Sequence, residues 1–139
     1  MGVSNNQNQR TRTRIGVAIL LTIAAIHAFR VGSYLSGNAY KYYYSFASDI
    51  MIPFAAYFSL WMNEIQFRFL RKWYVKVIIC FCVMTFSEIM QYYGIYFFGS
   101  TFDWIDILMY ASGSLTAALF DKQILERLMP FLKYDTLDN

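Results

Sequence analysis

Charge is scarce in this chain. Asp, Glu, Lys and Arg make up 15% of its 139 residues, whereas a soluble domain of this size carries about 25%. A soluble helix needs a polar face for water, and the stretches "IGVAILLTIAAI" and "VKVIICFCVM" have almost none, which weighs heavily against a soluble helical bundle. Strict apolar and polar alternation over segments of about ten residues is also missing, and with it the signature of a membrane β-barrel. The chain has one histidine and two cysteines. Cys80 and Cys82 lie two apart on a helix and point to different faces, so they read as small apolar fillers and make neither a metal pair nor a disulfide. No HExxH, Gly-x-Ser-x-Gly, phosphate-binding loop or Cys/His metal spacing occurs. No cofactor and no metal are expected.

What the chain does have is apolar and aromatic surface: 58% of residues are hydrophobic and 20% aromatic. These gather into four blocks, residues 15–35, 46–62, 75–98 and 104–120. Each is about 17 to 24 residues long, enough at the helical rise to cross a hydrocarbon core of roughly 30 Å. The expected fold is therefore all-α, an integral membrane four-helix bundle. Residues 1–14 read as a disordered basic cytoplasmic tail, 15–133 as the four-span domain and 134–139 as a C-terminal tail. The first apolar block runs on past "AAIHAF" into Arg30 and Tyr34 and reads as an anchor helix, not a cleaved leader. Gly2 does not fit N-myristoylation, because Asn6 stands where Ser or Thr is required.

Basic residues set the orientation. Arg10, Arg12 and Arg14 precede the first block, Arg68, Arg71, Lys72 and Lys76 lie between the second and third, and Lys122, Arg127 and Lys133 follow the fourth. The opposite side has Lys41 in one loop and no basic residue in the other, "GSTFD". Both termini are thus expected in the cytoplasm, and the protein in the cell membrane as a multi-pass chain with the lipid bilayer as its first partner. Topology accounts for the basic residues, so nucleic acid is not an expected partner. The tyrosines of "YKYYYS" belong at the outer headgroup level, where amphipathic rings anchor.

With orientation assigned, depth follows. Glu88 lies about 20 Å along the third span, in the outer half of the bilayer, with Gln91 one turn beyond. His27 and Arg30 approach the same level from the first span, and Asp49 and Asp106 lie in the first turns of the second and fourth. His27 with Arg30, Glu88 with Gln91, and Asp103 with Asp106 are spaced i, i+3, each pair on one side of its helix. Ionisable groups within spans are costly and face the bundle interior or a wet cavity, where they pair. Arg30 is the natural counter-charge for Glu88 or Asp106. The acids outnumber it, so the layer is expected to be unbalanced in negative charge and to invite a cation, a proton or a polar headgroup. A purely structural polar lock is the alternative.

Pro53, inside the second block, withdraws a hydrogen bond from the carbonyl of Asp49, an irregularity tolerated in a span where it is buried or lines a polar cavity. In the fourth block, Asp106, Tyr110, Gly113 and Ala117 share one face. Gly113 and Ala117 make a small-xxx-small step that lets another helix approach closely, so the packed face is also the acidic one.

The run Glu88-x-x-Gln91, then Phe102, Asp106 and Gly113, resembles the second-half motif of the VanZ-like superfamily of small bacterial and archaeal membrane proteins. Asp49 resembles that family's earlier acidic position, while Ser100 stands where the family often has arginine and Tyr110 where it often has asparagine. The resemblance implies a cell-envelope role, since the name-giving members are linked to low-level glycopeptide (teicoplanin) antibiotic resistance.

Two function classes follow. The first is a non-enzymatic envelope factor whose outward-facing polar layer (His27, Arg30, Asp49, Glu88, Gln91, Asp103, Asp106 and Tyr110) binds a lipid-linked or glycopeptide headgroup or a membrane protein partner. The second is an intramembrane enzyme or ion- or proton-handling unit using the same carboxylates. The first is favoured, because no catalytic motif accompanies the acids. The charge asymmetry makes a direct prediction: reporter fusions at Gly37 and Gly99 score outside and one after Lys133 scores inside. A cytoplasmic score at Gly99 contradicts the four-span reading.

Overall fold

The computed structural model describes the backbone of residues 2–95 and 103–132, with side chains from residue 7 onward. Among the described residues the chain is all-helical, with no strand. Four long helices carry the fold: α1 (Gly2–Ala28), α2 (Gly37–Met62), α3 (Trp73–Tyr92) and α4 (Trp104–Leu119). The helical path of α4 runs on through a π-helical segment, Phe120–Leu125, into a last α turn, Glu126–Leu128. Short 3-10 turns at Val31–Tyr34, Arg68–Arg71 and Pro130–Leu132 connect or finish the long elements.

Two of the helices are long and apolar enough to cross a membrane, over Gln7–Ala28 and Trp73–Tyr92. In a soluble protein such helices would form the core, yet only 11% and 28% of their apolar windows are buried. Val17, Leu21, Ile78, Val83, Phe86 and Ile89 all face outward. Leu108, Leu115 and Leu119 do the same on α4. The interior, in contrast, contains Arg12, Glu64, Lys76, Glu88, Gln91 and Asp121, each at most 6% exposed. Apolar side chains thus face outward while charged ones share the interior with a hydrophobic core of Tyr57, Phe58 and Trp61.

The element boundaries differ from the sequence expectation at three places. Residues 2–14, expected as a disordered tail, are part of α1. The reason is visible at Arg12, whose guanidinium donates to Glu64 Oε2 at 2.6 Å and to the carbonyl of Leu132, tying the segment to the rest of the chain. The first helix ends at Ala28 instead of continuing to 35, because Arg30 takes a left-handed conformation (φ 49°) and turns the backbone into the Val31–Tyr34 turn. Helix α2 begins at Gly37, nine residues before the apolar block, so the "YKYYYS" tyrosines are helical. The loop around Gly99 and Ser100, and the segment from Lys133 on, lie outside the described residues.

Helix α2 occupies the centre. It packs on α1, α3 and α4, while α1 meets the long helices mainly through α2. The α2–α4 contact is close because Gly113 and Ala117 leave room for it, as their spacing implied. A Cβ placed on Gly113 would press into the backbone carbonyl of Ile50 and lie 2.7 Å from Pro53 Cγ. Ala117 and Pro53 are fully buried in the same seam.

The inner half of the bundle is filled by aromatics and a chain of charges. Phe58 stacks edge-on against Trp61 and Phe120, with ring centroids 5.9 Å apart in both pairs. Glu64, in the turn after α2, accepts from Arg12 of α1 and from Lys76 of α3. Lys76 Nζ also donates to Asp121 Oδ2 at 3.2 Å, and the Tyr57 hydroxyl donates to the same oxygen at 2.8 Å. The two cations lie over aromatic faces, Arg12 over Trp61 and Lys76 over Tyr57, each 4.6 Å from the ring centroid. Burial pushes the Glu64 carboxyl above the usual carboxylate range against the opposing pull of Lys76 and Arg12, so its ionised form depends on both cations.

Candidate functional site

The acidic layer is assembled from three helices. On α3, Glu88 and Gln91 are one turn apart and both buried. On α4, Tyr110 follows Asp106 by one turn, and its hydroxyl donates to Glu88 Oε1 at 2.7 Å. Gln91 Nε2 donates to the same oxygen at 3.1 Å. Asp49, half-buried on α2, lies close enough to Asp106, Tyr110 and Glu88 to interact with them electrostatically. Asp49, Glu88, Gln91, Asp106 and Tyr110 therefore form one cluster.

Three residues of the expected layer lie elsewhere. Asp103 is exposed and serves as the N-cap of α4, its Oδ1 accepting from the Ile105 backbone N–H at 2.9 Å. It adds to the negative potential at Asp49 and Asp106 without touching them. His27 and Arg30 are exposed and line a pocket between α1 and α2 with Ser48. Among the described residues Arg30 makes no ion pair, so it is not the counter-charge of Glu88 or Asp106. The physical reason is the position of α1. The sequence reading assumed four helices around one shared interior, whereas α1 lies on the far side of α2 from the acids. Ser48 and Asp49 show the division: they are consecutive on α2, about 100° apart around its axis, and Ser48 meets α1 while Asp49 meets α4.

The cluster is unsatisfied in a specific sense. Glu88 Oε2, Gln91 Oε1 and Ser87 Oγ are buried without a hydrogen-bond partner among the described residues. Two of these are pure acceptors, so among the described residues the site is short of donors. Leaving such an atom buried and unpaired costs about 1 to 3 kcal/mol, and more where the group is charged. Among the described residues no three of His, Cys, Asp and Glu are grouped so as to hold a metal ion.

The second charged constellation, Arg12, Glu64, Lys76 and Asp121 with Tyr57, was not singled out from sequence. Arg12 and Lys76 read there as topology markers at the cytoplasmic rim, and both are buried instead. A lysine one residue into the apolar run "VKVIICFCVM" was the available signal. Asp121, its partner, lies at the start of the π-helical segment, and periodicity does not announce such segments.

Comparison with protein-family models, curated proteins and solved structures finds no match.

The donor shortage generates a stability prediction. Glu88→Gln removes one of three mutually repelling carboxylates and keeps the side-chain shape, so the variant should be more stable than the parent by about 1 to 3 kcal/mol. Thermal unfolding in detergent reads this directly. A clear loss of stability would instead mark Glu88 as a structural lock.

Proposed function

We propose that this chain is a four-span protein of the cell membrane, with both termini cytoplasmic, acting as a non-enzymatic envelope factor of VanZ-like type. Its working site is the acidic cluster at the outer ends of α2, α3 and α4. There it takes a hydrogen-bond-donating or cationic group, such as the amine, amide or hydroxyl groups of a lipid-linked or glycopeptide headgroup, or of a membrane protein partner. One observation carries this reading: Asp49, Glu88 and Asp106 lie near one another and make no ion pair among the described residues, while Glu88 Oε2 and Gln91 Oε1 are buried there without a hydrogen-bond partner. The inner network supplies the contrast, since there two cations meet two carboxylates. A protein that balances buried charge at one end and leaves it unbalanced at the other uses the second end for something.

The outward-facing leucines, valines and phenylalanines support the membrane placement. For α4, whose 16 residues are short for a span, the continuous helical path to Leu128 supplies the missing length. The family reading rests on the sequence run Glu88, Gln91, Asp106 and Gly113.

A second reading, proton handling, draws on the closeness of Asp49 and Asp106, two carboxyls near enough to compete for a proton. Native mass spectrometry of protein released from its own membrane separates the two. The envelope-factor reading expects a bound species on the parent that is lost in both Glu88→Gln and Asp106→Asn. If the parent carries nothing and the two variants differ from it only in proton uptake, the second reading replaces the first.

A further inference from the structure

The pocket between α1 and α2 has the opposite chemistry from the acidic cluster. It is a cavity of about 120 Å³ lined by Ile26, His27, Arg30, Tyr43, Tyr44 and Ser48, and no carboxylate lines it. His27 Nδ1 lies 3.0 Å from the carbonyl of Ile23, a partner that only accepts, so Nδ1 carries the hydrogen and Nε2 points to the Ser48 hydroxyl 3.4 Å away. One wall is held in place by close packing: a Cβ on Gly32 would overlap the ring of Tyr43. Tyr43 in turn meets Tyr44 edge-on at 5.5 Å.

Arg30 is the notable member. It is the one non-glycine residue with positive φ among those described, a conformation that costs an L-residue about 1 to 2 kcal/mol. The chain bears that cost while placing a guanidinium at the mouth of a pocket that already holds an imidazole and a hydroxyl. The dipole of α1 favours a cation near its C-terminus, but it calls for neither a cavity nor a hydroxyl beside the cation. A space of about 120 Å³ is the volume of roughly four waters in the liquid, sufficient for a phosphate group.

We propose that the His27–Arg30–Ser48 pocket binds the phosphate of an anionic lipid headgroup at the outer membrane surface. Arg30 supplies a charge-assisted, forked contact to two phosphate oxygens, the Ser48 hydroxyl turns its one hydrogen from His27 Nε2 to a third, and the tyrosine rings line the headgroup level. The site shares the membrane reading with the acidic cluster but not its residues or its charge, so either can fail alone.

The test uses the purified full chain in a neutral detergent, titrated with short-chain phosphatidylglycerol, with short-chain phosphatidylcholine and with inorganic phosphate. Phosphatidylglycerol should bind more tightly than phosphatidylcholine. Arg30→Ala should weaken that binding about tenfold or more, and Arg30→Lys should restore part of it. Ser48→Ala, a small change on a half-exposed helix face, should weaken it several-fold and guards against a folding defect in the arginine variants. Equal binding of the two lipids, or full binding by well-folded Arg30→Ala, overturns the proposal. Inorganic phosphate competing as strongly as phosphatidylglycerol overturns the lipid assignment and gives the pocket to free phosphate.

Discussion

The fold depends on a continuous chain of buried charges. Arg12, Glu64, Lys76 and Asp121 lie at most 3% exposed, and two positive charges meet two negative ones. Each comes from a different part of the molecule: α1, the turn after α2, α3, and the π-helical segment that extends α4. In the proposed membrane setting the hydrophobic effect offers no preference for one helix pairing over another, so directional contacts must specify register. This network supplies them. A π-helical turn inserts an extra residue per hydrogen-bonded ring and re-aims the side chains that follow, and here the segment places Asp121 against both Lys76 and Tyr57. The 3-10 turn Pro130–Leu132 joins the same network through the Leu132 carbonyl.

The opposite end of the bundle obeys the same physics with a different outcome. Helix α2 divides the polar residues there into two groups of opposite character. On the α3 and α4 side stand three carboxylates, a tyrosine and a glutamine with too few donors. On the α1 side stand a histidine, an arginine and a serine around a cavity. The close α2–α4 seam at Gly113 and Pro53 holds the acids together, while the departure of α1 from the bundle after Ala28 keeps Arg30 away from them. The charge separation therefore follows from helix placement, and both functional proposals follow from the separation.

Much of this was legible in the residues. The all-helical class followed from four apolar blocks, and Gly113 with Ala117 marked the tight seam. Asp49, Glu88, Gln91, Asp106 and Tyr110 emerged as one cluster because depth along a helix can be counted and i, i+3 spacing fixes a face. Asp103 was misplaced for a simple reason: an aspartate just before an apolar run is also the preferred N-cap, and that local role prevailed. His27 and Arg30 were given the wrong neighbours, since counting along a helix gives height but not azimuth among helices. The inner network stayed hidden because Arg12 and Lys76 fit the positive-inside pattern so well that nothing demanded partners for them. Their burial becomes visible only once Glu64 and Asp121 are seen within reach.

The central claim is that buried charge in this protein is balanced where it holds the fold together. A double-variant cycle on Lys76 and Asp121, read as unfolding free energy in detergent, tests it most directly. Lys76→Met alone strands Asp121 and should cost about 3 to 5 kcal/mol, and Asp121→Asn alone should also destabilise by leaving Lys76 short of an anion. Joining the two removes a balanced pair, so the double variant should recover most of the loss. Near-neutral single variants, or losses that simply add in the double, would contradict the account.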